Sequence, residues 1–176
     1  SSQLSGSSSV EPVQQEKYAV LEMRIDSLLS MMTVDTLTDL GQKLLQGIHE
    51  FKRGNYDASI REFKRVMVAH PDGAAPVHCL YNTGVCYFKL GLFREAENQF
   101  QQILDRYANQ KVAPQSLFLK ALTYLERDEP MTAEKLFRDF IQKNRDHEWA
   151  GKAYEKLGEC YESMEQPKKA IDAYQQ

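Results

Sequence analysis

Cysteine and histidine are the usual ligands of a structural zinc ion, and this 176-residue chain has three cysteines and four histidines. His78, Cys79 and Cys86 come nearest to a ligand cluster. His78 and Cys79 are adjacent, so on a helix their side chains point about 100° apart. A structural zinc site needs four ligands, and the sequence offers no convincing fourth. We therefore expect no metal site.

The cysteine spacing also bears on redox chemistry. Cys79 and Cys86 are seven residues apart on a predicted helix, which separates their Cα atoms by about 10 Å. A disulfide needs less than about 7 Å. Together with Cys160, the odd count favours three free, buried thiols, which are typical of a reducing compartment such as the cytoplasm.

Sequence motifs for catalysis are absent. The chain has no glycine-rich phosphate loop, no G-x-S-x-G, no H-E-x-x-H and no C-x-x-C. Glu155 and Glu159 share a helix face with Lys152 and Lys156, so they are expected to be ion-pair partners rather than a carboxylate dyad. We expect a protein that is not an enzyme and needs no cofactor.

The composition excludes two further classes. Apolar residues make up 42% and charged residues 27%, as in ordinary soluble proteins. No apolar run approaches the roughly 20 residues that a membrane span needs, so no membrane insertion is expected. The net charge of −3 and the lack of a Lys/Arg cluster argue against nucleic acid as the main ligand.

The elements that position these side chains come as an internal repeat with a period of 37 residues. Three columns keep this step: aromatic residues, small residues four positions before them, and a second set of small residues further upstream. The columns are Phe63, Phe100, Phe137 and Tyr174; Ser59, Ala96, Ala133 and Ala170; and Gly47, Gly84, Ala121 and Gly158. Each unit is predicted to be two helices that approach closely at the small residues. We expect repeats at about 40–73, 77–110, 114–147 and 151–176, the last incomplete.

Turn residues support the same division. Gly54 and Gly91 lie where the first helix of a repeat is predicted to end, and a helix commonly ends at a glycine in the left-handed conformation. Pro130 and Pro167 stand where second helices begin, and proline is tolerated in a first turn.

These features resemble the tetratricopeptide repeat over about residues 37–176. Its pattern is visible in Tyr154, Leu157, Gly158, Tyr161, Ala170 and Tyr174, and again in Leu80, Gly84, Tyr87, Ala96 and Phe100. The resemblance implies an all-α, right-handed superhelical solenoid of helix-turn-helix repeats. The 37-residue period, longer than the usual 34 or so, is similar to that of the bacterial Tol–Pal-associated periplasmic coiled-coil and repeat family. That similarity implies the periplasm or cell envelope, whereas the free cysteines favour the cytoplasm.

The N-terminal part differs in composition from the repeats. Residues 1–16 are Ser-rich at their start and are expected to form a flexible linker or tail. Residues 17–34 carry a heptad pattern of Tyr18, Leu21, Ile25, Leu28 and Met32. This segment is either one amphipathic helix packed on the domain or the end of a coiled coil that forms a homo-oligomer.

A second apolar stripe runs along the first helices of repeats 1 to 3. It comprises Leu44, Ile48 and Phe51; Tyr81, Val85 and Phe88; and Phe118, Leu122 and Leu125. The resemblance places this stripe on the concave surface, with Lys89 and Glu126 beside it. Repeat 4 has Lys152, Glu155, Glu159 and Glu162 at the corresponding positions. Nine large apolar side chains exceed the patch that soluble monomers usually expose.

Three arrangements would cover this stripe. An amphipathic helix or extended segment of a partner could bind there, the chain's own N-terminal helix or a second copy could cover it, or adjacent repeats could bury it as ordinary core. In repeat 1, Lys43, Gln46 and Glu50 occupy usual packing positions. A further alternative is therefore a rotated first helix with Leu44, Ile48 and Phe51 as core, which would shorten the groove.

The sequence thus predicts a non-catalytic scaffold or adaptor that binds a partner's segment in an apolar groove. The alternative is a structural homo-oligomer assembled through the heptad segment, with the repeats as a spacer in a cell-envelope complex.

Overall fold

The computed structural model describes residues 38–176, and within that range the chain forms four successive helical hairpins. The eight α-helices are α1 Asp39–Lys52, α2 Tyr56–Ala69, α3 Ala75–Lys89, α4 Phe93–Arg106, α5 Ala113–Glu126, α6 Pro130–Lys143, α7 Ala150–Ser163 and α8 Pro167–Tyr174. We call the odd-numbered helices A helices and the even-numbered ones B helices. Each packs mainly on the helices before and after it in the chain. The predicted all-α repeat solenoid is confirmed, and the Ser-rich tail and heptad segment lie outside the described residues.

All four hairpin turns end the A helix with the same pair of backbone hydrogen bonds. In the first, the Gly54 N–H donates to the Phe51 carbonyl and the Asn55 N–H to the Glu50 carbonyl, each at 2.9 Å. This is the Schellman arrangement, which requires a left-handed residue at its centre. Gly54 and Gly91 fill that position with φ of 80° and 74°, as their glycine identity predicts, whereas Asp128 and Glu165 fill it with φ of 59° and 57°.

Small residues bring each A helix close to its B helix. A Cβ atom added at Gly84 would lie 2.7 Å from Cε1 of Phe100, and one added at Gly47 would lie 2.8 Å from Cε1 of Phe63. The Ser59 hydroxyl also donates to the Gly47 carbonyl at 2.7 Å. The repeated glycine column is therefore explained by steric contact with the aromatic column.

Helix α1 keeps the same register as the later A helices, since Gly47 faces Phe63 as Gly84 faces Phe100. The first helix is therefore not rotated, although Leu44, Ile48 and Phe51 are buried as core, as that alternative expected. Lys43, Gln46 and Glu50 occupy the positions whose equivalents in α3 face α2. In α1 these side chains pair locally instead: Lys43 with Asp39 at 2.6 Å, and the Gln46 amide with Glu50 at 2.9 Å.

Candidate functional site

The second apolar stripe of the A helices is buried in this structure. Eight of its nine apolar residues are between 1% and 7% exposed: Leu44, Ile48, Phe51, Tyr81, Val85, Phe88, Phe118 and Leu122. Leu125 and the two flanking charged residues, Lys89 and Glu126, are only half-buried. The stripe is therefore not an open surface in this conformation, and its accessible part lies at the C-terminal ends of α3 and α5.

Ring contacts show what some of these side chains touch. The Tyr81 ring lies 6.1 Å from that of Phe100, and the Phe88 ring lies 5.1 Å from that of Phe93. Both contacts are edge-to-face, the geometry that aromatic pairs favour. These two stripe residues therefore join an A helix to its own B helix.

Phe118 is the centre of a larger aromatic cluster. Its ring centroid lies 5.3 Å from Phe137, 5.6 Å from Phe140 and 5.2 Å from Trp149. Trp149 precedes α7, and its backbone N–H donates to Nδ1 of His147 at 3.0 Å. Phe118 thus belongs to core that links repeat 3 to repeat 4.

A tyrosine near the end of each later A helix makes a polar contact with the preceding B helix. Lys64 Nζ donates to the Tyr87 hydroxyl at 2.8 Å. The Tyr124 hydroxyl donates to Glu97 at 2.5 Å, and Glu97 also pairs with Arg127 at 2.9 Å. The hydroxyl of the third tyrosine, Tyr161, donates to Glu134 at 3.2 Å. These contacts hold successive hairpins in register.

The three cysteines are free and buried, and burial raises the pKa of each thiol to about 12. Cys79 shares its repeat position with Ser116 and Ala153, and Cys86 shares its position with Thr123 and Cys160. All six side chains are inaccessible to solvent. The thiols therefore act as small packing residues rather than as nucleophiles.

Two absences hold for the part of the chain that the structure describes. No group of three or more His, Cys, Asp or Glu side chains there could hold a metal ion. Among the helices of residues 38–176, none combines the length and the apolar character that crossing a membrane requires.

A groove that the sequence analysis did not identify lies between the B helices α6 and α8, above α7, with a volume of about 570 Å³. Arg138, Arg145 and Lys169 line it. These cations are scattered in the sequence, so spacing along one helix does not reveal the set. The set becomes visible when these residues are compared with those at the equivalent positions of the preceding repeat.

Models of the tetratricopeptide repeat family match residues 36–109, 81–148 and 152–176. Tetratricopeptide repeat protein 8 from Homo sapiens and from Mus musculus is 40% identical over 60 residues, which is 34% of this chain. Those residues are 10% and 11% of the two relatives, so the chain spans about a tenth of their length.

Solved structures of repeat proteins are similar to the chain. A crystal structure of MamA is 26% identical, with a TM-score of 0.61, over 73% of this chain and 70% of that one. A putative kinesin light chain from Podosopora anserina with nearly identical TPR-like repeats is 14% identical, with a TM-score of 0.64, over 93% of this chain and 85% of that one. At 14% identity the second likeness concerns the fold alone.

The hairpins, their shared Schellman turns and the glycine–aromatic contacts agree with these family matches, which between them span residues 36–148 and 152–176. The chain belongs to the tetratricopeptide repeat family, whose fold serves as a scaffold for protein–protein interaction.

Proposed function

We propose that this chain is a non-catalytic scaffold that binds an amphipathic helix or extended segment of a partner protein at the accessible end of the A-helix stripe. That end is formed by Lys89, Leu125 and Glu126, which are half-buried. The rest of the stripe is packed core and would keep its contacts when the segment binds.

The distribution of burial around the A helices is the observation that carries this proposal. In α3 twelve of fifteen residues are buried, whereas Lys89 at its end is only half-buried. In α1 the buried residues include Leu44, Ile48 and Phe51, although its other packing positions are polar. The stripe is therefore packed core for most of its length, and the half-buried Leu125 is the apolar side chain that a partner segment would contact first.

Charges beside the stripe would orient the bound segment. Lys89 lies over the aromatic rings of repeat 1, with Nζ 5.9 Å from the Phe51 centroid and 5.7 Å from the Tyr56 centroid. Glu126 stands at the same position one repeat later. A positive and a negative group in neighbouring repeats favour one direction of a charged partner segment.

The test uses the accessible end of the stripe. Phe88 and Leu122 are almost fully buried, so aspartate at either would be expected to unfold the protein. The double variant Leu125→Asp/Glu126→Lys changes half-buried residues and should keep the fold. Leu104→Asp is the matched control, because Leu104 is also a half-buried leucine but lies on the B helix α4.

We expect the double variant to hold its partner at least about tenfold more weakly than wild type in affinity capture, since loss of an interface anchor costs 1–2 kcal/mol or more. The Leu104→Asp control should hold the partner normally. Circular dichroism must show that all three proteins are folded. Normal retention by a folded double variant would place the partner-binding surface elsewhere.

The structural homo-oligomer assembled through residues 17–34 is the alternative function. Light scattering on the full chain and on a variant lacking residues 1–34 separates the two. A fall in molar mass to that of a monomer would favour the oligomer, and equal association states would favour the scaffold.

A further inference from the structure

We propose that the groove between α6 and α8 binds an acidic peptide segment of another protein through one apolar side chain and its flanking carboxylates. Its floor includes Tyr154 and Leu157 of α7, one wall includes Ala173 of α8, and Arg138, Arg145 and Lys169 lie around it. This surface is separate from the A-helix stripe, so the inference does not rest on the proposed function.

Two side chains of the groove are smaller or less polar than their counterparts in the preceding repeat. Leu157 stands at the position of Lys120, and Ala173 stands at the position of Leu136. In repeat 3 the Lys120 side chain reaches across to α4, where its Nζ donates to the Gln101 amide oxygen at 2.5 Å. Repeat 4 has no such bridge, and a methyl group replaces the larger leucine. These two side chains therefore leave room in repeat 4 that Lys120 and Leu136 occupy in repeat 3.

The charge of the groove also differs from that of its counterpart. Arg138, Arg145 and Lys169 replace the neutral residues Gln101, Ala108 and Thr132 of the equivalent groove. With Asp172 as the one acidic residue in the lining, the groove carries a net charge of +2. The residues at the equivalent positions in repeat 3 include two lysines, Lys120 and Lys135, and two aspartates, Asp105 and Asp139, so their net charge is zero.

Part of this positive charge remains available to a ligand. Glu134 pairs with Arg138 at 3.1 Å, and Lys169 Nζ lies 5.5 Å from the Tyr161 ring centroid. Arg145 is exposed beside them. Guanidinium groups recognise carboxylates by paired hydrogen bonds, and the opening above Leu157 and Ala173 accepts a side chain of moderate size. A leucine-type residue between glutamates or aspartates meets both requirements.

The experiment measures fluorescence anisotropy of a labelled peptide with one leucine between two pairs of glutamates. The control peptide has glutamine in place of glutamate. Two variants carry the residues of repeat 3 in repeat 4: Arg145→Ala/Lys169→Thr removes the charge, and Ala173→Leu fills the space. Because both variants use side chains that the preceding repeat already packs, we expect them to fold, which circular dichroism checks.

We expect saturable binding of the acidic peptide to wild type, about tenfold weaker binding to each variant, and weak binding of the glutamine peptide. Added salt should weaken the binding, because exposed charges are screened. Leu125→Asp/Glu126→Lys should bind the peptide as wild type does, which keeps this result independent of the A-helix stripe. Equal binding of the two peptides, equal binding to the variants, or no saturable binding to wild type would overturn the proposal.

Discussion

Individual side chains explain features that the sequence alone leaves open. The odd cysteine count and unsuitable spacing predict free thiols, and this prediction is confirmed. The reason for cysteine at these positions emerges only from the packing: Cys86 and Thr123 occupy the same fully buried position in successive repeats. A small side chain is what the contact between helices needs there.

We expect native protein at about pH 8 to react with a thiol reagent far more slowly than protein unfolded in guanidinium, because burial raises the pKa of all three thiols from 9.0 to about 12. The folded thiol stays protonated where the unfolded one ionises. The contribution of these thiols to the free energy of unfolding should therefore be constant below about pH 9 and should fall as the pH rises from 9 towards 12.

Urea titrations over that pH range measure this effect. Cys86→Thr introduces the residue that repeat 3 has at this position. It should make the free energy of unfolding fall less between pH 9 and pH 12. Equal reaction rates in native and unfolded protein would contradict the burial of the thiols.

At the scale of single elements, the sequence predicts where helices stop when glycine marks the stop. Gly54 and Gly91 adopt the predicted left-handed conformation, and α6 and α8 begin at Pro130 and Pro167 as expected. Asp128 and Glu165 adopt the same conformation without being glycine. Aspartate and glutamate do not by themselves predict a left-handed conformation. The 37-residue period predicts it, because it aligns these two residues with Gly54 and Gly91.

Glu165→Gly should raise the free energy of unfolding by about 1 kcal/mol. The left-handed conformation costs an ordinary residue about 1–2 kcal/mol, and the greater freedom of glycine in the unfolded chain offsets part of that gain. Urea denaturation gives the change.

Gly91→Ala is the control with the opposite sign. No atom lies within 4 Å of an added Cβ there, so its expected loss of about 1 kcal/mol is a backbone effect. A destabilising Glu165→Gly would show that the glutamate side chain makes a contact worth more than the strain.

The A-helix stripe shows the limit of reasoning from one helix. Periodicity correctly groups Phe118 with Leu122 on one face, but it does not reveal what lies opposite that face. The contact of Phe118 with Trp149 joins residues 31 positions apart and depends on how repeat 3 meets repeat 4. Tertiary packing therefore decides the burial, and partner binding at the accessible end of the stripe stays a proposal.

At the scale of the whole molecule, the repeat period predicts the solenoid because every hairpin uses the same contacts. The groove between α6 and α8 could not be predicted in this way, since its lining departs from the repeat, as with Ala173 for Leu136. The similarity to the Tol–Pal-associated family and the compartment stay predictions.

Unfolding should not be a single transition. Each helix packs mainly on its neighbours in the chain, and repeat proteins of this kind couple only through adjacent interfaces. Trp149 is the one tryptophan and reports on the junction of repeats 3 and 4.

We therefore expect the Trp149 fluorescence transition and the transition in far-UV circular dichroism to have different midpoints in urea. Glu165→Gly changes the turn of repeat 4, so it should move the midpoint of the fluorescence transition more than the midpoint of the circular dichroism transition. The variant therefore serves as the internal control. Coincident transitions for both probes would instead indicate one cooperative unit.

The packing of each helix on its chain neighbours also bears on how the protein is synthesised. Helix α1 packs on α2 and α2 packs on α3, so native contacts join segments within about one repeat of each other. Closing such short loops costs little entropy, and folds dominated by local contacts form quickly. Because translation adds only about 5–20 residues each second, repeats 1 and 2 would complete their packing on the ribosome before the last hairpin has been made.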